Sequence, residues 1–368
     1  MKLTDLGYNN FFEENRNRLG AGGLPVARVI AEHKGAYRVK NQNGEYSAKV
    51  TGKQMFRASS REDFPAVGDW VVLAGEPIAG EVVIQSVLPR QTVIKRKRGG
   101  KEKLGKKDRV QIIATNIDVA FVVESVDRDY SLNRLERYFA IAEDGGVAPA
   151  VILNKIDLLT AEELAAKVAE IKKRFPEIVV VTTSAEDNQG LDDLKKYLEK
   201  DKTYCFLGSS GVGKSSLINK LLGEESGGET IKTGEVSLTS DRGKHTTTAR
   251  QMYFLKSGAM VIDNPGMREV GLADAGQGVA ETFDEIDILA RDCQYVDCTH
   301  NHEPDCAVIK AVKMGELDEG KYQNYLRLKK EVDFFELESS ERKEKERSFG
   351  KFIKKAKKDF KDLGHKGW

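Results

Sequence analysis

Residues Gly208-Ser-Ser-Gly-Val-Gly-Lys-Ser-Ser216 follow the apolar run Thr203-Tyr-Cys-Phe-Leu207 and open the helical pattern Leu217-Ile-Asn-Lys-Leu-Leu222. Strand, glycine turn and helix in that order carry the full G-x-x-x-x-G-K-S spacing of a phosphate-binding loop. The turn lets backbone N–H groups point inward at phosphates, and the helix adds the positive end of its dipole. The expected nucleotide contacts are Gly208, Ser209, Ser210, Gly211, Val212, Gly213, Lys214, Ser215 and Ser216. Lys214 is placed to reach the β- and γ-phosphates and to act catalytically there, and Ser215 to ligate Mg²⁺.

Working outward, apolar runs alternate with helical periods on both sides of this loop. Val119–Val123, Ala150–Leu153, Ile178–Thr182, Gln251–Leu255 and Met260–Asp263 read as strands, and Leu132–Glu143, Glu162–Phe175 and Leu191–Leu198 as helices. That alternation predicts a doubly wound α/β domain over residues 111–272. Before it, VARVIA, AYRVK, GEYSAKV, GDWVVLA and GEVVIQSVL alternate between Gly, Asn and Pro turns. Five such strands predict an all-β OB-type barrel over residues 25–98, which either binds nucleic acid or packs on its neighbour. Residues 1–24 read as a loosely attached leader. Between barrel and α/β domain, Arg90 to Arg109 holds ten Lys/Arg against Glu102 and Asp108. We read residues 99–110 as a basic linker suited to phosphate contact.

The net charge is only +1 over 368 residues, so local patches matter more than the total. No stretch approaches the ~18 apolar residues of a membrane span. The expectation is a cytoplasmic monomer with no membrane contact. Past residue 273 the chain carries the cysteine cluster of a mainly helical domain, 273–330. A charged tail, 331–368, follows, in which Phe349, Phe352, Ile353, Ala356 and Phe360 recur at helical spacing opposite lysines.

Asn154-Lys-Ile-Asp157 stands at the C-terminal end of a predicted strand, where doubly wound sheets bind ligands. A carboxylate there accepts from the two guanine donors, ring N–H and exocyclic amine, whereas adenine offers no such pair. Asp157 is therefore expected to read the base. Lys155 would lay its stem over the purine, and Asn154 would tie this loop to the phosphate loop. Ser184 and Ala185, after the next strand, supply an N–H for the guanine carbonyl. Downstream, Asp263-Asn-Pro-Gly266 places a carboxylate for Mg²⁺ and a glycine N–H for the γ-phosphate. Arg242-Gly-Lys-His-Thr-Thr-Thr248 supplies a hydroxyl for the metal, with Thr248 or Thr247 favoured among the three threonines. Base-reading motifs precede the phosphate loop, an order that implies circular permutation.

Cys293-x4-Cys298-x-His300-x5-Cys306 offers three thiolates and an imidazole, a closed set that suits one structural Zn²⁺; His302 is a rival fourth ligand. With NKID, GSSGVGKSS, GKHTTT, DNPG and this set behind a barrel, the chain resembles the ribosome small-subunit-dependent GTPase A (RsgA) family of circularly permuted YjeQ/YloQ-type GTPases. The resemblance implies an OB-fold, a permuted GTPase core and a zinc domain, acting with GTP and GDP in late maturation of the 30S subunit and on its 16S rRNA. It also implies that the hydrophobic Met267, where many GTPases place a water-orienting glutamine, is normal. The polar role then falls to His245. Asn264 departs from the family, which often has Thr there. Two other readings remain: an ATP-dependent nucleic-acid-binding P-loop enzyme, and a non-catalytic RNA-binding module with a relic nucleotide site.

Overall fold

In the N-terminal third, Val71 and Leu73, Val82 and Ile84, and Val29 and Ala27 are apolar at every second position, so each strand turns one face to a common interior. The computed structural model describes residues 1–33, 36–52, 61–97, 110–127, 130–223, 250–264, 272 and 275–336. Within them, β1 (Val26–His33), β2 (Ala36–Asn41), β3 (Gly44–Val50), β5 (Glu81–Val87) and β4 (Trp70–Leu73) pair in that order. The β1–β4 pairing closes the barrel. β3 and β5 run parallel, the others antiparallel, as in an OB-type barrel. All five strands read from the sequence are present.

The leader is not loose. All four residues of β4 are buried, which needs cover on its outer face as well as its inner one. Leu6, Tyr8 and Phe12, the last in α1 (Asn10–Arg18), supply it by packing on Val26, Trp70, Val72 and Leu88. The one apolar cluster there, Leu6, Tyr8, Phe11 and Phe12, carries little periodicity, but two aromatic rings against an indole suffice. The Tyr8–Trp70 centroids lie 4.7 Å apart at 71°.

The basic run also differs from expectation. Lys95, Arg96 and Lys97 belong to β6 (Val93–Lys97), which pairs antiparallel with β7 (Val110–Thr115), Lys97 opposite Val110. The first part of the run therefore lies in one arm of a hairpin, and Val110, the last residue of the expected basic linker, opens the other. Residues 98–109 lie outside the described residues.

The second sheet runs β10 (Val180–Thr183), β9 (Ala148–Asn154), β8 (Val119–Ser125), β11 (Thr203–Leu207), β13 (Met260–Asp263), β12 (Arg250–Phe254). All neighbours are parallel except β12–β13. β11 sits at the centre, although three of its companions precede it in the chain. β9 and β10, which lead into the NKID loop and the Ser-Ala turn, thus precede the phosphate-loop strand β11 in the chain. β12 also pairs with β1, Ala31 opposite Gln251, so the two sheets are continuous. Arg28 of β1 seals the joint: buried, it donates to the carbonyls of Leu6 (2.6 Å), Gly68 (3.2 Å) and Asn116 (2.8 Å). Loss of water around it pulls its guanidinium down to about 10, against the attraction of Asp118 and Asp69.

Helices α2 (Leu132–Asp144), α3 (Ala161–Arg174), α4 (Leu191–Lys196) and α5 (Lys214–Leu222) flank this sheet. Of the C-terminal helices α6 (Gly276–Thr282), α7 (Asp284–Ala290), α8 (Ala307–Met314) and α9 (Glu319–Glu336), α6 and α9 pack on α2, α7 packs on α6 and α8, and all share one apolar cluster with α2. A Cβ on Gly278 would lie 1.9 Å from the Ala140 carbonyl oxygen, which is how closely α6 approaches α2. Glu331 of α9 takes both Arg137 guanidinium nitrogens (3.0 and 2.8 Å) and the Leu272 N–H (2.9 Å). α9 continues through residue 331, with Val332 and Phe335 buried, so the expected boundary between helical domain and tail falls inside a helix. Residues 337–368 lie outside the described residues. Among the described residues, no helix is long and apolar enough to cross a membrane.

Candidate nucleotide and metal sites

The loop after β11 owes its shape to glycine. Gly208, Gly211 and Gly213 take φ of +139°, +87° and +98°, which side chains rarely adopt. At Gly213 a Cβ would stand 2.2 Å from Asn154 Nδ2, so the close approach of the two loops requires the missing side chain. Asn154, buried at the end of β9, donates from Nδ2 to the Val212 carbonyl at 2.8 Å and accepts from Thr183 Oγ1 at 3.0 Å. One amide thus joins the ends of β9 and β10 to the phosphate loop. The sequence points to Asn154 by its motif and to Thr183 as the residue that opens the Ser-Ala turn, but not to the hydrogen bond between them.

Lys155 has φ +65°, and its Nζ lies 2.8 Å from Asp127 Oδ2. Asp157 is exposed, and its Oδ1 accepts from the buried Ser184 hydroxyl at 2.6 Å. Ser184 Oγ also takes the N–H groups of Glu186 and Asp187 at 3.2 and 3.4 Å, which shapes the turn that holds the half-buried Ala185. The four-residue loop and the Ser-Ala turn, 27 residues apart at Asp157 and Ser184, are therefore one structure.

At the loop's other end Lys214 is buried, and its Nζ donates to the carbonyls of Gly208 (2.8 Å) and Ser209 (2.7 Å). Burial pulls its ammonium down to about 8, with Asp263 pulling the other way. Burial likewise holds the Asp263 carboxyl above the usual range, opposed by Lys214 and by the Ser215 hydroxyl. Ser215 Oγ donates to Asp263 Oδ2 at 3.2 Å, while Oδ1 is buried and takes no hydrogen bond from a described residue. A carboxylate oxygen without a donor, next to a hydroxyl at a helix start, fits a hard divalent cation. Next to it, Asn264 donates from Nδ2 to Cys205 Sγ at 2.9 Å. Gly266, Met267 and the stretch containing His245, Thr246, Thr247 and Thr248 lie outside the described residues.

The ligand atoms of Cys293, Cys298, His300 and Cys306 all lie within 4.8 Å of one another. Tetrahedral zinc with Zn–S of about 2.3 Å has S···S edges of about 3.8 Å. The Cys293–Cys306 separation is 3.8 Å, and His300 Nδ1 stands 3.6 and 3.5 Å from those two sulfurs. The residues fit the metal. His300 reaches inward from a left-handed backbone, φ +61°, with its carbonyl accepting from Tyr322 Oη at 2.5 Å. His302, the rival imidazole, is exposed and outside the group; its N–H donates to Glu303, as do those of Thr299 and Asn301. The Thr299 hydroxyl above all, with the Thr299 and His302 N–H groups, holds the Glu303 carboxylate far below its usual range.

Residues 87–273 match the family model described as RsgA GTPase. Among relatives, "Small ribosomal subunit biogenesis GTPase RsgA 2" of Lactiplantibacillus plantarum is 41% identical over 319 residues, 86% of each chain. Among solved structures, YjeQ from Thermotoga maritima aligns with a TM-score of 0.59 at 26% identity, covering 83% of this chain and 98% of that one. YloQ, described as a circularly permuted GTPase, aligns with a TM-score of 0.57 at 23% identity, covering 84% and 95%, a likeness of fold alone.

Proposed function

The chain belongs to the RsgA GTPase family, and from that premise we propose that it hydrolyses GTP as a switch for joining and leaving an assembling small ribosomal subunit. GTP hydrolysis itself follows from membership. In our reading the guanine rests between the Lys155 stem and the Ser184-Ala185 turn, with Asp157 accepting from its two donors. The backbone of 208–216 and Lys214 hold the phosphates. Ser215, Asp263 and Thr248 or Thr247 hold Mg²⁺, which would neutralise charge on the β- and γ-phosphates. Gly266 contacts the γ-phosphate, and His245 orients the attacking water. Cys293, Cys298, His300 and Cys306 hold a structural Zn²⁺.

The observation that supports this most is the Asn154 amide, bonded at once to the phosphate loop and to the strand before the Ser-Ala turn. Base end and phosphate end are held at a fixed spacing by one buried side chain, as a nucleoside triphosphate requires. The 30S partner rests on the relatives' names; the barrel and the basic hairpin are the surfaces we assign to 16S rRNA. The ATP-dependent and the non-catalytic readings fall with the family assignment.

The test is co-sedimentation with 30S subunits in GDP and in a non-hydrolysable GTP analogue, together with single-turnover hydrolysis on the subunit by the unsubstituted protein and His245→Ala. We expect retention with the analogue, release with GDP, and loss of stimulated hydrolysis in the variant. Equal sedimentation in both nucleotides would defeat the switch, and full stimulation of the variant would remove His245 from it.

A further inference from the structure

Lys155 is held at its far end by a residue outside every motif. Ser125, the last residue of β8, lies opposite Asn154 in the parallel register, and the Val126 N–H donates to the Asn154 carbonyl at 3.1 Å. This brings Asp127 beside the following loop. Its Oδ1 accepts from Ser125 Oγ at 2.7 Å, and its Oδ2 lies 2.8 Å from Lys155 Nζ. Both side chains of the pair are 32% exposed, open enough to meet a ligand and enclosed enough to be held.

We infer that Asp127 is a positioning residue for the purine, acting through Lys155; the inference rests on the reading that the Lys155 stem covers the base. A lysine stem has four rotatable bonds and loses that freedom when it must lie flat on a ring. A carboxylate that fixes the ammonium, and is itself fixed by Ser125, removes part of that freedom before the nucleotide arrives. It also keeps the Lys155 charge at the base end, leaving Lys214 as the cation at the phosphates. Asp127 should therefore strengthen GDP and GTP binding by the same factor, without bearing on which nucleotide state is favoured.

The experiment is a double-mutant cycle on the full chain, reading GDP and GTP-analogue affinity by titration calorimetry for Asp127→Ala, Lys155→Met and the double variant. Asp127→Ala is expected to weaken both nucleotides about fivefold, and by less than about 1.5-fold once Lys155 is already Met. Asp127→Glu, which restores the charge, should recover most of the loss. Equal losses in both lysine backgrounds, no loss at all, or a loss confined to one nucleotide overturns the inference. Should the alanine variant not fold, Asp127→Asn keeps an acceptor for Ser125 without the charge and decides the same question. Equal binding of GDP and ADP by the unsubstituted protein would instead defeat the guanine reading.

Discussion

The nucleotide end of the sheet and the cysteine–histidine cluster are built in opposite ways. The first joins residues 58, 48 and 29 apart in the chain, at Asn154–Val212, Ser215–Asp263 and Asn154–Thr183. Its parts meet because parallel strands place them at one edge, and the main-chain ladder that does so needs no ligand. The second draws its four ligands from Cys293 to Cys306, a span of turns between α7 and α8. No strand ladder spaces those thiols; the metal they fit would do it. A scaffold therefore makes one site, and a ligand makes the other.

The largest effect should come from breaking the second. Cys298→Ser would remove one of the four ligands proposed for zinc, and chelation would remove all four bonds to it, in a class of site worth about 10–16 kcal/mol of folding free energy. Residues 291–306 should lose hydrogen-exchange protection while β8, β9 and β11 keep theirs and GDP still binds. Simultaneous loss in both regions would mean that the sheet is not the independent scaffold described above.

Asn154→Ala attacks the first region at its joint and should cost less. It leaves the Val212 carbonyl and the Thr183 hydroxyl without their partners in a buried place, about 2–4 kcal/mol of stability, read from the urea midpoint. GDP affinity should fall at least about tenfold, because the two ends of the site are no longer held together. Unchanged affinity with reduced stability would make Asn154 structural only.

How much of this was legible depends on whether a residue acts through its neighbours in sequence or in space. The phosphate loop, the NKID loop and the five barrel strands announce themselves because glycine spacing and alternation are local, and the sheet confirms their placement on strand ends. The leader was misread because its cover of Trp70 depends on β4 being buried on both faces, which no pattern in residues 1–24 records. That Lys95 to Lys97 lie in a strand was not legible, because their partner strand starts at Val110, beyond twelve intervening residues. Buried polar contacts were invisible for the same reason: Glu136 pairs with Arg174 and accepts from the Asn324 amide, 38 and 188 residues away. Asp127 carries no motif at all; only the register of β8 on β9 brings it to Lys155.

The central claim is that a base-reading loop placed ahead of the phosphate loop in the chain builds a guanine site at the shared edge of the sheet. Asp157 tests it most directly, since its carboxylate is the group that would accept from both guanine donors. Titration of the unsubstituted protein and Asp157→Asn with GDP and with xanthosine diphosphate, whose ring carries an oxygen in place of the exocyclic amine, gives the answer. The account predicts GDP preference in the first and a reversal toward xanthosine diphosphate in the second. GDP affinity that is the same in both proteins would contradict it.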